Sequence, residues 1–165
     1  MSNTPGPFVG IYQVAYVTND FQRALAQFAI THRIGSFMQL KEMHYNTGPA
    51  REAICNIGLA YVGATEIEVI EPLSGDVQLY KDYLPSDGKF AVRFHHLSRL
   101  FESKAALEQQ IAAYRGQGRA IPVDGGSPGM ARYFYADFRP ELGHYMEGIC
   151  FEPEAKTWLA SIPRF

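Results

Sequence analysis

The pattern of apolar and polar residues along the first half of the chain predicts a strand, a helix and three further strands. Val9 to Thr18 (VGIYQVAYVT) is apolar on both faces, which is typical of a strand buried between two layers. Asp20 then offers N-cap chemistry, and apolar residues at helical spacing predict a helix near 20–34 that ends at Gly35. Strand-like stretches follow, separated by turn-forming residues, at about 36–46, 51–61 and 64–71.

The same order of elements begins again in the second half. Residues 73–89 are rich in Pro, Gly, Ser and Asp, which is typical of a linker. After them FAVRFHHLSRL (90–100) predicts a strand, and Ser103 is expected to cap a helix over 103–116. A short strand near 119–123, a turn at 124–129 and two last strands complete the half, at 131–138 and 144–152. The sequence therefore predicts an α+β fold of two tandem βαβββ modules, at about 9–72 and 90–153, with a C-terminal tail at 154–165.

The two halves also resemble each other residue by residue. When Gln13 is placed on His96, a shift of 83 positions, apolar residues fall on apolar residues at Ile11/Phe94, Val14/Leu97 and Val17/Leu100. Near the far end of each half, EVIEP (68–72) resembles EGICFEP (147–153), with two extra residues. Matches at both ends, together with the shared order of elements, indicate an internal repeat.

Composition and charge exclude several classes of protein. The 165 residues form about one domain, and with 47% apolar and 19% charged residues the chain can bury a core. A net charge of −2 excludes an electrostatically driven nucleic-acid binder. No apolar run reaches the length of a membrane span, and the first residues lack the basic and apolar segments of a secretory signal. Cys55 and Cys150 form no CxxC pair and are expected to be reduced core residues, so we expect a cytoplasmic globular domain.

The repeat places four polar side chains in matching positions of otherwise apolar strands: Gln13, Glu68, His96 and Glu147. A carboxylate buried alone costs several kcal/mol or more, whereas a divalent cation would neutralise two of them and use the amide oxygen and the imidazole as well. One His with three oxygen donors suits Zn, Ni, Co, Mn or Mg, with positions left for water or substrate. The alternative is a hydrogen-bonded Gln, a core His and a solvated strand face, since Glu66 and Glu68 share a face.

The segments that carry this pattern resemble a known family. IYQVAYVTNDFQRALAQF, TEIEVIEPL, RFHHL and GHYMEGICFEP are similar to the strand signatures of the vicinal oxygen chelate superfamily, which includes glyoxalases, methylmalonyl-CoA epimerase, extradiol dioxygenases and bleomycin-resistance proteins. The resemblance runs from about 9 to 153 and is nearest to the epimerase-like and glyoxalase-like branch. It implies two βαβββ modules curled around a metal site whose ligand positions map onto Gln13, Glu68, His96 and Glu147. The first of these is often His in the family, although Gln also occurs.

Three functions follow from the resemblance. The first is a metal-dependent lyase or isomerase, epimerases included, that moves a proton next to a carbonyl of a small chelated substrate, with Glu68 or Glu147 as the base. Epimerase-like members carry an additional base in the first module, and Glu52 is the nearest equivalent here. The second is a metal-free protein that sequesters a small molecule, as bleomycin-resistance proteins do. The third, an extradiol dioxygenase, needs two His on redox iron, and only His96 occupies a ligand position.

Further residues are predicted to serve the substrate or a partner. Arg132, which follows the turn at 124–129, is a candidate anchor for an anionic substrate group, and Tyr45 with His44 is a candidate for the mouth of the pocket. His95 is expected to point to the helix side as a core residue. In the tail, Trp158, Leu159 and Ile162 have no obvious core to join, which predicts a partner surface or a flap over the same chain. Together with the frequent pairing of family members, this leads us to expect a homodimer.

Overall fold

A computed structural model describes residues 8–165, without the side chain of Lys156; the first residues, on which the expected lack of a secretory signal partly depends, lie outside it. The first half contains β1 (Ile11–Thr18), α1 (Phe21–His32), β2 (Met38–Gly48), β3 (Arg51–Val62) and β4 (Thr65–Gly75). A short helix, α2 (Gln78–Lys81), precedes the second half. That half contains β5 (Val92–Leu100), α3 (Lys104–Gly116), β6 (Val123–Ser127), β7 (Ala131–Asp137), α4 (Arg139–Leu142) and β8 (Tyr145–Phe151), and α5 (Ala155–Leu159) lies in the tail.

The strands form one mixed sheet in the order β2-β3-β4-β1-β5-β8-β7-β6. The pairs β1/β4 and β5/β8 are parallel, and the other pairs are antiparallel. Read outward from the central β1/β5 pair, each half places its strands in the same order, which is first, fourth, third and second. The sheet curls until it is nearly closed. The predicted α+β class is confirmed, while the module boundaries and the linker at 73–89 stay a prediction.

The register of the central strand pair agrees with the repeat found in the sequence. Gln13 pairs with Ser98. The residue equivalent to Gln13 in the second half is His96, the residue equivalent to Ser98 in the first half is Ala15, and these two also pair. Val14 pairs with Leu97, its own equivalent, so a two-fold relation between the halves passes through this pair. A symmetric register explains how one sequence pattern, used twice, places its polar residues around one point.

Both predicted helices have the expected N-caps. Asp20 accepts a hydrogen bond from the backbone N–H of Arg23 (3.1 Å), and Ser103 accepts one from Ala106 (3.2 Å). The end of α1 differs from the prediction, because Arg33 rather than Gly35 takes the left-handed conformation that ends the helix (φ 59°).

Strand β6 lies further along the chain than predicted. The expected strand at 119–123 and turn at 124–129 are replaced by a strand over Val123–Ser127. Its glycines are there because the backbones of β6 and β2 approach closely: a Cβ on Gly125 would lie 2.0 Å from the carbonyl oxygen of Asn46. The contact between these two edge strands nearly closes the sheet.

Alternation along the strands separates a helix-covered face from the inner face of the curl. On β4, Ile67 and Val69 pack with α1, whereas Glu66, Glu68 and Ile70 line the interior. On β7 and β8 the helix-side residues pack with α3, and alternate residues such as Tyr133, Tyr135 and Glu147 face inward. Each strand thus carries one apolar face for the core and one face for a cavity.

The segment between the halves and the tail both pack against the curled sheet. Val77 and Tyr80 of the α2 region are buried, so residues predicted as a linker close one side of the interior. In the tail, Ile162 is buried, and backbone hydrogen bonds join Tyr61 to Pro163 and Phe165. The tail is therefore a flap over the same chain, and its apolar residues no longer argue for a partner. Cys55 and Cys150 are buried free thiols, and none of the helices within residues 8–165 could span a membrane.

Candidate functional site

The curled sheet encloses one large cavity, with about 740 Å³ of empty space counted to its open mouth. Its walls are aromatic and aliphatic side chains of β2, β3, β7 and β8, together with Trp158 and Leu159 of the tail. Its polar floor is formed by Gln13 and three carboxylates, which are Glu66, Glu68 and Glu147. Apolar walls around a few converging polar groups are the composition of a small-molecule site.

Gln13 and Glu66 form a buried pair at one side of the floor. Gln13 Nε2 donates a hydrogen bond to Glu66 Oε1 (2.7 Å). This leaves Gln13 Oε1 and Glu66 Oε2 buried without a hydrogen-bond partner among the described residues. Burial raises the pKa of Glu66 to about 7, with a further contribution from the charge of Glu68, in spite of the hydrogen bond from Gln13. Two acceptor oxygens are therefore held ready for a cation, a proton or a donor on a ligand.

His96 lies between the other two carboxylates. Its Nε2 is 3.4 Å from Glu68 Oε2 and 3.5 Å from Glu147 Oε2, and the imidazole is fully buried. Burial lowers the pKa of His96, but the nearby carboxylates of Glu147 and Glu68 outweigh it and raise the pKa to about 9. Without a metal, His96 is therefore the cation that balances this pair of buried carboxylates.

His95 supports His96 from behind. Its Nε2 donates to the backbone oxygen of Leu79 (3.2 Å), because a carbonyl oxygen can only accept. Burial and the neighbouring His96 lower the pKa of His95 well below 6.5, so its ring is neutral and its Nδ1 accepts. His96 Nδ1 therefore donates the hydrogen bond to His95 Nδ1 (2.8 Å). This hydrogen bond fixes the ring of His96 with its Nε2 directed at the carboxylates. An imidazole fixed through its other nitrogen is the usual arrangement of a metal-binding His.

The donor set fits a divalent cation. Two atoms that share an ion through bonds of about 2.1 Å lie about 3.0 to 3.5 Å apart, which matches the contacts of His96 Nε2 with Glu68 and Glu147. Gln13 Oε1 and His96 Nε2 both lack a hydrogen-bond partner among residues 8–165. Within residues 8–165, however, no group of three or more His, Cys, Asp or Glu is already arranged as a metal centre. The donors are within reach of one another, and His96 has to lose a proton before they can bind an ion together.

A chain of hydroxyl groups crosses the cavity wall. Tyr45 donates to Tyr80 (2.6 Å), and Tyr80 donates to Tyr135 (3.2 Å). Burial raises the pKa of all three well above 10, so they are neutral donors. The ring of Tyr135 also packs on His96, with centroids 4.8 Å apart. The chain brings a phenol from each of β2, α2 and β7 next to the carboxylate floor.

The structure brings His96, Glu68 and Glu147 into contact and places Gln13 in the lining of the same cavity, and the four stay a prediction as metal ligands. Tyr45 lines the cavity. Glu52 forms an ion pair with His44 (3.2 Å), and both side chains are 58% exposed, away from the floor. Arg132 lies outside the lining and binds Glu108 (2.9 Å), Asp124 and the backbone oxygen of Gly125. We therefore include neither Glu52 nor Arg132 in the site.

The sequence analysis missed three site residues, which are Glu66, Tyr80 and Tyr135. Glu66 was considered as a solvated position, yet it is 2% exposed and lines the cavity. Strand alternation held the signal, because Glu66 must face inward if Glu68 does. Tyr80 was missed because it lies in a segment whose composition is typical of a linker.

Searches with protein-family models and against curated proteins gave no match. Solved structures do match. Methylmalonyl-CoA epimerase from Mycobacterium tuberculosis superposes with a TM-score of 0.58 at 14% identity, covering 90% of this chain and 91% of that one. A hypothetical protein from Bacillus halodurans C-125 gives 0.57 at 17% identity, covering 86% and 94%.

A third match is the Streptomyces coelicolor methylmalonyl-CoA epimerase in complex with 2-nitronate-propionyl-CoA. Its TM-score is 0.56 at 14% identity, and the match covers 85% of this chain and 95% of that one. Identities this low show a shared fold and leave the activity open. The chain has the fold of the vicinal oxygen chelate proteins, which confirms the resemblance found in the sequence at the level of the fold.

Proposed function

We propose that this protein is a metal-dependent enzyme that transfers a proton next to a carbonyl group of a small substrate. Gln13, Glu68, His96 and Glu147 would hold a divalent cation, which, when bound, polarises the oxygens of the substrate as a Lewis acid. The observation that carries the proposal is His96 Nε2, buried without a hydrogen-bond partner and aimed between two carboxylates. Epimerase, isomerase and lyase reactions all use this chemistry.

The carboxylate that moves the proton is one of three. Glu68 and Glu147 both contact His96, and either could act as a base from its ligand position. Glu66 is a third candidate and our first choice, because its Oε2 has no partner and it is outside the four ligand positions. Gln13 holds the other oxygen of Glu66, which fixes the carboxylate at the floor of the cavity. A base fixed this way needs little reorganisation during the reaction.

The experiment is a proton-exchange assay. Metal-loaded protein is incubated in D₂O with small 2-oxo and 2-hydroxy acyl compounds, and deuterium uptake at the carbon beside the carbonyl is followed by NMR. We expect deuterium uptake that disappears when a chelator is added. In the Glu66→Gln variant the rate of uptake should fall about 100-fold while the metal content is unchanged. The matched control is Glu52→Gln, a surface change that should leave the deuterium uptake and the metal content unchanged. Exchange that is indifferent to the chelator would contradict the metal's role.

A second candidate is a metal-free protein that binds and sequesters a small molecule. One observation favours it: His96 already balances the charges of Glu68 and Glu147 as an ion pair, so the floor is electrostatically satisfied without an ion. Such a protein would bind its ligand equally with and without metal. An extradiol dioxygenase ranks third, because among the described residues His96 is the only His in contact with Glu68 and Glu147, and His95 supports His96.

A further inference from the structure

We infer that the part of the substrate inside the cavity is uncharged, with an apolar ring and at least one oxygen that accepts a hydrogen bond, rather than a carboxylate or a phosphate. The inference deepens the proposed function and rests on it for the cation. Three observations support it. They are the charge of the residues that line the cavity, the ion pairs that already hold the neighbouring arginines, and the hydroxyl donors on the cavity wall.

The charge of the lining disfavours an anion. Among the described residues that line the cavity there is no Lys, Arg or His, and there are three glutamates. A divalent cation is neutralised by Glu68 and Glu147 alone, which leaves no unbalanced positive charge at the floor for a second anion. At the low effective dielectric of such a site, a further negative group would be uncompensated.

The basic side chains near the cavity are already engaged. The guanidinium of Arg132 binds Glu108, Asp124 and a backbone oxygen. Arg51 binds Asp76 (3.1 Å) and the backbone oxygens of Thr47 and Pro122. Releasing Arg132 to bind an anionic substrate would break its ion pairs with Glu108 and Asp124, and releasing Arg51 would break its ion pair with Asp76 and two hydrogen bonds to backbone oxygens.

The walls offer apolar surface and neutral donors instead. Tyr133, Phe151, Trp158 and Met130 supply a broad aromatic and aliphatic surface. The hydroxyl chain ends at Tyr135, which accepts from Tyr80 and so keeps its own proton for a ligand. A phenol polarised by two others is a stronger donor to a neutral carbonyl or hydroxyl oxygen.

The test compares two ligands that differ chiefly in charge. Calorimetric titration of the Mn-loaded full chain uses 1-phenyl-1,2-propanedione, which is neutral, and phenylglyoxylate, in which a carboxylate replaces the acetyl group. We expect the dissociation constant of the diketone to be at least tenfold lower. Equal or tighter binding of phenylglyoxylate, or no binding of the diketone at millimolar concentration, overturns the inference.

A variant pair tests the donor. Tyr135→Phe removes only the hydroxyl and should weaken diketone binding about five- to tenfold with the metal content unchanged. Tyr16→Phe is the matched control, because Tyr16 packs against Phe28 and Phe94 outside the cavity and should bind the diketone normally. Equal affinities of the two variants overturn the role of Tyr135. Metal content is measured on the same samples, so a chain without metal refutes the proposed function, while the ligand comparison still decides the inference about charge.

Discussion

His96 and Glu147 touch each other at the floor of the cavity, and yet their replacement should have unequal effects. His96→Ala deletes a neutral donor and leaves both carboxylates, so the affinity for metal should fall without being lost. Glu147→Gln removes a charge and a candidate base, so turnover should fall further than the loss of metal explains. Gln13→His should keep the metal, because imidazole is also a good donor. Metal content and exchange rate, measured together for the three variants, check this ranking, and equal losses in all three would contradict it.

The same residues predict how the stability of the metal-free protein depends on pH. The pKa of His96 is about 9 when folded and about 6.5 when unfolded, so its contribution is complete below pH 6.5 and is lost as the pH rises through 9. The pKa of Glu66 rises from 4.5 to about 7 on folding, which also favours the folded state at the lower pH. We therefore expect the metal-free protein to lose several kcal/mol of its free energy of unfolding between pH 5 and pH 9, shared about equally between the two groups.

Thermal unfolding across this pH range measures the effect. Glu66→Gln removes the part of the slope between pH 5 and pH 7 and should leave the part due to His96. A melting temperature that rises steadily from pH 5 to pH 9 would show that the two groups are not titrating as their surroundings require.

At the scale of elements, the approach of β6 to β2 is the contact that nearly closes the sheet. Gly125→Ala would place a methyl group 2.0 Å from the Asn46 oxygen, so one of the two strands has to move. We expect a loss of about 1 to 3 kcal/mol in the free energy of unfolding, measured in urea. Gly116→Ala is the control, since a Cβ there meets no atom within 4 Å. A Gly125→Ala protein as stable as the control would mean that the closure is looser than described.

The strands, the two long helices and the repeat could be predicted from the sequence because each depends on local periodicity. The position of β6 could not, since glycines at 125 and 126 are typical of a turn and only their pairing with Tyr133 and Arg132 of β7 makes them part of a strand. The role of α2 was hidden for a similar reason. Tyr80 joins Tyr45 and Tyr135 through contacts that composition does not encode.

The site was predictable to the extent that symmetry determines it. Register pairs Ala15 with Glu68 and Ser98 with Glu147, which are equivalent positions in the two halves. Glu66 breaks that symmetry, because its equivalent next to His96 is Tyr145. A residue without a counterpart is invisible to an argument from the repeat, which is why Glu66 had to be found from its burial.

At the scale of the whole molecule, the homodimer stays a proposal. The tail covers the cavity of its own chain through Trp158 and Leu159, so any interface has to use another surface. Sedimentation at micromolar concentration should give a species of twice 18.5 kDa. A single species at 18.5 kDa would refute the dimer and would leave the proposed chemistry intact.

The proposed chemistry requires the cavity to hold one divalent cation. The most direct measurement is the metal content of the purified full chain after supplementation with Mn, Co, Ni or Zn, together with its melting temperature before and after EDTA. We expect about one equivalent of metal and a melting temperature that EDTA lowers by several degrees, because an ion that binds only the folded state stabilises it. No stoichiometric metal, with melting unchanged by EDTA, would contradict the claim and favour the metal-free binding protein.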